Sequence, residues 1–349
     1  MRLVPLVFCF YILDVTAALQ ADSLDAQEIP LEARELSGET LVQYLRKNQD
    51  LFEVDPNPVP GFEYKIMDMK FMEQEPNPIV KDDNDAEEDI PPNYDLREVW
   101  KDCSSLFTIR DQANCGSCWA VSSAAAISDR ICIASKGTKQ VYVSDGDIMS
   151  CCSYCGSGCQ GGFHIRVWDY FREDGVVSGG YYHSKRCCRP YQIHPCGHHG
   201  NDTYYGECPK PAQTPVCKKK CQPGFRKIYR MDKLYGKAGY KLKNSVKDIQ
   251  REIMKSGSVV ASFTVYEDFS HYKSGIYKHT AGRARGRHAV KVIGWGTENG
   301  TEFWHIANSW HDDWGEKGFF RILRGVNHCG IEQNVSGGLV DENSFNDDL

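Results

Sequence analysis

Sixteen cysteines, most of them between Cys103 and Cys221, restrict the folding of this chain more than any other feature. Cys151-Cys152 and Cys187-Cys188 are adjacent pairs. Such density reads as a set of disulfides formed in an oxidising compartment. Zinc is the rival, because Cys152-x-x-Cys155 and Cys217-x-x-x-Cys221 have ligand-like spacing. The N-terminus favours export, and therefore disulfides. Arg2 precedes an apolar run over residues 3–13, Thr16-Ala17-Ala18 offers small residues for cleavage, and Asp14 interrupts the pattern. Residues 1–18 read as a signal peptide. The run is too short to span a bilayer, and no later stretch is long and apolar enough. No metal, no cofactor and no membrane span are expected. Sequons at Asn201, Asn299 and Asn334 fit the secretory pathway, with Asn201 and Asn299 as the glycosylation candidates. The net charge of −6 gives no general basic field for nucleic acid.

Residues 19–89 contain no cysteine and are rich in Glu, Asp and Pro, ending in an acidic run over 81–89. Leu41, Val42, Leu45 and Leu51-Phe52 suit one short amphipathic helix. The segment reads as a propeptide with a cleavable linker, the alternative being a disordered tail. From residue 90 the texture changes. Residues 117–135 predict a buried helix carrying Cys118 in its first turn. Residues 151–225 read as loops held by cysteines, and 247–256 as a second helix stopped by Gly257. Strands are expected over 259–265, 288–293, 302–307 and 318–323. Helix and loops first, strands second, predicts an α+β fold of two lobes.

The strongest motif is Gln112-Ala113-Asn114-Cys115-Gly116-Ser117-Cys118-Trp119. A thiol reacts as its thiolate, and a helix N-terminus stabilises that anion through its unpaired N–H groups. Gln112, with the backbone N–H of Cys118, suits stabilisation of an oxyanion. The competing reading is that Cys115 and Cys118 are a disulfide or a redox pair. A thiolate also needs a base. His288 opens an apolar strand run, and Trp304-His305-Ile306-Ala307-Asn308-Ser309-Trp310 supplies an amide to orient it. Asn308 can fix the imidazole tautomer, and Trp310 can shield that bond from water. The order Cys, His, Asn is far more specific than any one of the three.

With these motifs the chain resembles the cathepsin B group of the papain family from residue 90 onward. Further matching segments are Ser128-Asp129-Arg130-Ile131-Cys132, Cys159-Gln160-Gly161-Gly162, Gly294-Trp295-Gly296 and His328-Cys329-Gly330-Ile331-Glu332. Residues 36–52 also resemble that group's short propeptide. The resemblance implies a papain-like fold: a helical left lobe, a β-barrel-like right lobe, and the active site in the cleft between them. It implies a thiol protease with Cys118, His288, Asn308 and Gln112 as catalytic groups. Gly161, Gly162, Ala289, Trp310 and Asn334 would line the substrate site. Protein or peptide substrates, the chain's own propeptide and cystatin-type inhibitors are the implied partners, and a lysosomal or secreted monomer is expected.

Papain-like enzymes place His and Asn roughly 130–150 residues after the nucleophile. Here His288 lies 170 residues on and Asn308 lies 190. An insertion is required, and residues 187–221 are the candidate. By resemblance this is an occluding loop over the primed end of the cleft. Its His198 and His199 would bind a substrate's C-terminal carboxylate and confer dipeptidyl carboxypeptidase activity; a metal pair or plain loop histidines are the alternative. The resemblance also implies disulfides joining Cys103 to Cys132, Cys115 to Cys159, Cys151 to Cys217, Cys152 to Cys155, Cys188 to Cys221 and Cys196 to Cys208. Cys118 stays free, Cys329 matches an unpaired position, and Cys187 is unassigned.

Several positions depart from the group. Asn334 stands where a glutamate closes the S2 pocket, which predicts weaker use of Arg at P2. His198 with Asp111 would supply one of two loop latches. The other needs an arginine facing Asp313, and residues 200–207 contain none, so a looser loop and a larger endopeptidase share are expected. Val121, Ser258 and His305 replace a usual Phe, Pro and Leu; Val121 is expected to leave space behind the nucleophile helix and His305 to face water. Residues 303–316 also resemble a motif in cathepsin B-like enzymes of blood-feeding worms, which implies a haemoglobin-digesting gut enzyme. Two rival functions remain open at this level: an inactive binding protein on the same scaffold, and a disulfide oxidoreductase using Cys115 and Cys118.

Overall fold

The structure is a computed structural model that describes residues 29–72 and 89–345. The signal-peptide reading, Cys9 and nearly all of the acidic run lie outside those residues.

In chain order the helices and strands begin with α1 (Leu31–Arg34), α2 (Gly38–Asn48) and β1 (Phe52–Val54). Then come β2 (Tyr94–Asp95), α3 (Leu96–Val99), α4 (Cys118–Ala134), α5 (Asp145–Cys151) and α6 (His164–Glu173). The second half holds β3 (Gly236–Lys241), α7 (Val246–Ser256), β4 (Val259–Tyr266), β5 (Tyr272–Tyr277) and β6 (Ala284–Glu298). It closes with β7 (Thr301–Ala307), β8 (Phe319–Leu323) and β9 (Val335–Val340).

Among the described residues these elements form two large apolar cores and two small clusters. One joins α4, α5 and α6 through Trp119, Ile127, Ile148, Trp168 and Phe171. The other belongs to the mixed sheet, whose pairing runs β1-β5-β8-β7-β6-β4-β9-β3, with β2 added to β6. All pairs are antiparallel except β5 with β8. This is the expected α+β, papain-like arrangement, with the strand-rich lobe as an open sheet.

Helix α4 runs between the lobes and is buried along almost its whole length. It tolerates polar residues there because Ser122, Ser123 and Ser128 each donate to the carbonyl four residues back. Helix α6 lies inside the stretch expected to be loop. Its apolar face of Ile165, Trp168 and Phe171 recurs at helical spacing and packs on β3, whereas the surrounding Gly and Cys suggested irregular chain.

The N-terminal segment folds onto both lobes. Leu41, Val42 and Leu45 of α2 are buried in the core of the sheet lobe. Their transfer is worth roughly 5–9 kcal/mol before ordering entropy is subtracted. The expected helix through Phe52 ends at Asn48 instead. Gln49 turns the chain: its Oε1 accepts from the N–H groups of Leu51 and Phe52, and its Nε2 donates to the Phe52 carbonyl. Phe52 then enters β1, opposite Gly275 of β5.

Among the described residues six disulfides join Cys103–Cys132, Cys115–Cys159, Cys151–Cys217, Cys152–Cys155, Cys188–Cys221 and Cys196–Cys208. Every cysteine of the two zinc-like spacings is therefore spent on a disulfide. Cys118, Cys187 and Cys329 are not bridged. Cys187 is buried, which pushes its thiol up to about 11.

Candidate active site

Cys118 is the first residue of α4 and is fully buried. Gly116 precedes it where no side chain fits: a Cβ would lie 2.6 Å from the Cys159 carbonyl oxygen and 2.8 Å from that of Ile66. Across the cleft, His288 and Ala289 sit on β6. His288 Nε2 donates to Asn308 Oδ1 at 2.7 Å. The same Oδ1 accepts from the Ser309 N–H at 2.8 Å, which marks it as the oxygen and fixes the imidazole tautomer. The proton is thus on Nε2, and Nδ1 keeps its lone pair, buried and without a hydrogen bond. The Trp310 ring covers His288 at 4.7 Å between centres. The Ala289 N–H donates to Cys118 Sγ at 3.3 Å.

Gln112 is held from behind. Its Oε1 accepts from Ser309 Oγ at 2.6 Å, so its Nε2 must face the cleft. Tyr191 adds a second brace, donating to the Gln112 carbonyl at 2.9 Å and meeting Ser117 Oγ at 2.7 Å. Ser309 and Tyr191 were not singled out from sequence. Ser309 adjoins Asn308 in the third motif, which was a usable signal; Tyr191 carried none.

The cleft is filled by the chain itself. Gln112 Nε2 donates to the Lys65 carbonyl at 2.8 Å. Met67 and Arg287 exchange two backbone hydrogen bonds, 2.8 and 3.1 Å, in antiparallel register. The Asp68 N–H donates to the Gln160 carbonyl. Phe71 and Met67 cover Gly161, whose φ of +135° favours glycine and where a Cβ would strike the Phe71 ring. Gly162 lies against Trp119. Phe62 meets Trp310 edge-on. This cover controls the chemistry. Burial pushes the Cys118 thiol up to about 12, against the backbone N–H groups that favour the thiolate. Burial also takes His288 down to about 4, against its bond to Asn308. Both groups are neutral under the segment.

At the other end of the cleft the loop of residues 187–221 is anchored by Asn114. Its Nδ2 donates to the Cys208 and Lys210 carbonyls, and its own carbonyl accepts from Ala212. The expected pair of His198 with Asp111 is not formed. His198 is exposed and stacks on Tyr204 at 4.2 Å, while Asp111 Oδ1 accepts from the Ala113 N–H. Val59, Pro60, Gly61 and Lys65 of the segment line the same cavity as His198 and His199.

Asp313, which has no arginine facing it from residues 200–207, is met by two histidines instead. His199 Nδ1 lies 2.9 Å from Asp313 Oδ2, and His311 Nδ1 lies 3.1 Å from Oδ1. Burial works against the charged form of His311, yet Asp313, Asp111 and Asp202 raise it to about 9. Burial likewise opposes the Asp313 carboxylate, but the two histidines hold it below its usual range.

The remaining departures are plain. Asn334 is half-buried and donates from Nδ2 to Ser262 Oγ at 2.9 Å, which points its amide away from solvent. Ser336 of the same sequon is fully buried, whereas Asn201 and Asn299 are exposed. The space beside Val121 is about 10 Å³, room for one water at most. Ser258 donates to Asp129 within a buried pair with Lys291. His305 is half-buried rather than facing water, and burial lowers it.

Residues 90–339 match the papain family cysteine protease domain (Peptidase_C1), and the chain belongs to that family. Within it, the chain is a cathepsin B-like cysteine protease. It is 64% identical over 346 residues to "Cathepsin B-like cysteine proteinase 1" of Haemonchus contortus, covering 99% of this chain and all of that one. It is 57% identical to the protein of the same name from Ostertagia ostertagi, over 97% of this chain and all of that one. Among solved structures it resembles "proCathepsin B S9 from Trypanosoma congolense", with a TM-score of 0.71 and 32% identity, over 87% of this chain and 98% of that one. The redox-pair reading is set aside, because Cys115 is bridged to Cys159.

Proposed function

We propose that this chain is the exported precursor of a protease that cuts peptide bonds by acyl transfer. Residues 1–18 are its signal peptide, 19–89 its propeptide and 90–349 the enzyme. It acts in the lysosome or outside the cell on protein or peptide substrates, as a monomer open to cystatin-type inhibitors.

Once the cleft is open, Cys118 and His288 regain water and can exist as thiolate and imidazolium. The thiolate attacks the scissile carbonyl carbon, and Gln112 Nε2 with the Cys118 N–H receives the oxyanion. The imidazolium, oriented by Asn308, returns its proton to the departing amine, leaving a thioester. Water, deprotonated by His288, hydrolyses the thioester and restores the thiol. The single observation that carries this reading is the Lys65 carbonyl on Gln112 Nε2 above a buried Cys118. The segment takes the oxyanion donor. It runs from the His198–His199 end, at Val59–Gly61, toward Gly161, at Met67–Phe71, which is opposite to the direction of a substrate whose C-terminus faces those histidines.

His198 and His199 supply the dipeptidyl carboxypeptidase activity by holding a C-terminal carboxylate, and internal bonds are cut when the loop yields. An epoxide or vinyl-sulfone probe tests the assignment. Labelling of Cys118 is expected only after residues up to 89 are removed. A folded, processed protein that takes no label would point instead to an inactive binding protein. Matched peptides with free and amidated C-termini separate the two protease activities, and loss of preference for the free terminus in His198→Ala is expected.

A further inference from the structure

The loop latch has the donor set of a metal centre. One donor atom from each of His199, His311 and Asp313 lies within 4.8 Å of the others. The two rings stack at 3.9 Å and 19°, and both Nδ1 atoms converge on Oδ1 of Asp313, each at 3.1 Å. Two ligands bound tetrahedrally to zinc at 2.0–2.1 Å stand about 3.3 Å apart. Opening this cluster by a few tenths of an ångström, with some splaying of the rings, makes room for an ion.

Two further features fit. His311 Nε2 faces Asp202 Oδ2 at 3.1 Å. That is the carboxylate–histidine arrangement that places the proton on the far nitrogen and turns the near one toward a metal. A cavity of about 380 Å³, lined by His199, Asp202, His311 and Asp312, borders the cluster and gives an ion a way in and space for a water ligand. Asp312 Oδ1, 2.9 Å from His311 Nδ1, offers a further oxygen.

We propose that His199, His311 and Asp313 bind one divalent transition-metal ion, Zn²⁺ by its preference for imidazole and carboxylate, and that the ion ties the loop of residues 187–221 to the segment after Asn308. Two imidazoles, with His311 releasing its proton to solvent as the ion binds, and one carboxylate suit zinc, whereas calcium and magnesium would require more oxygens. None of these residues touches Cys118, and although His199 is also one of the two histidines assigned to the substrate carboxylate, metal binding is read without any turnover. Its effect is mechanical, because His199 is carried by the loop and Asp313 by the sheet lobe.

The test uses full-length protein with Cys118→Ser, titrated with Zn²⁺ against a chromophoric chelator. One equivalent is expected, retained when His288→Asn is added. His311→Asn and, separately, His199→Asn should each remove that equivalent, and Asp202→Asn should weaken it by about 10- to 100-fold. Zn²⁺ should also slow protease nicking between residues 197 and 206 in the parent but not in His311→Asn. His199→Asn lies on an exposed loop and serves if His311→Asn fails to fold. Failure to compete with the chelator, or one equivalent unchanged in either histidine variant, would overturn the proposal.

Discussion

Cys118, His288 and Asn308 are 0–4% exposed, and neutral hydrogen bonds hold their cluster together. The latch at the primed end is the reverse. The side chains of Asp202 and Asp313 are 70% and 43% exposed, and the charges on His311 and Asp313 hold the cluster together. The buried cluster tolerates little change, because each polar group lost leaves its partner unsatisfied. An exposed charged latch is screened by salt and each pair is worth less, so its residues can be exchanged. This chain shows both behaviours. Its centre sets His288 on Asn308 beside a buried Cys118, while its latch sets two imidazoles on Asp313.

That contrast can be broken by experiment, beginning with the largest effect. Cys118→Ala should lower kcat/KM by at least about 10⁴-fold. Asp313→Asn should leave kcat on a blocked peptide within about threefold, since exposed latch charges are worth little. A collapse in the latch variant would mean that the two regions are one unit.

Gln112→Ala should cost about 10²- to 10³-fold in kcat with little change in KM, the size of one lost oxyanion donor. Steady-state kinetics on processed enzyme decides it, and an unchanged kcat would remove Gln112 from the chemistry.

The third prediction concerns pH. A thiol raised to about 12 is protonated throughout the ordinary range, with roughly 10⁻⁵ as thiolate at pH 7. Alkylation of Cys118 in the full-length protein should therefore rise about tenfold per pH unit from 7 to 9, with no acidic plateau. Removal of the segment should create that plateau, since an exposed His288 can charge and pair with the thiolate. An acidic plateau in the full-length protein would show that the segment does not bury the pair.

The smallest effect lies at the substrate site. Asn334→Glu should raise the use of Arg over Phe at P2 by about tenfold, about 1.4 kcal/mol. Equal turnover of Arg-Arg and Phe-Arg substrates by the unaltered enzyme would already refute the premise.

Much of the centre was legible because its chemistry is local. A nucleophile on a helix N-terminus and an amide two residues before a tryptophan carry their signal in a few neighbouring positions. Helices α4 and α7 and the strands β4, β6, β7 and β8 were likewise visible, the helices as stretches of helix-favouring residues without breakers and the strands as strand-like runs set off by glycine and charged turns. Helix α6 and strands β3, β5 and β9 were not, because their apolar faces are short and interrupted by glycine or charge. The latch was misjudged for a different reason. Residues 200–207 hold no arginine, but the cation that faces Asp313 from its own side is His311, two residues before it in the chain.

The sequence by itself therefore determined the reaction class, the cysteine-bearing helix, the order Cys118, His288, Asn308, and the existence of an inserted loop. Those depend on residue type and spacing. Only the tertiary structure decided where the N-terminal segment lies, that its Lys65 carbonyl occupies Gln112, that Ser309 and Tyr191 hold Gln112 in place, and that His199 and His311 share Asp313. Each of these joins positions far apart along the chain or on separate elements. No local pattern encodes them, because the free energy that selects them comes from burial and from pairing polar groups that meet only after both lobes have folded.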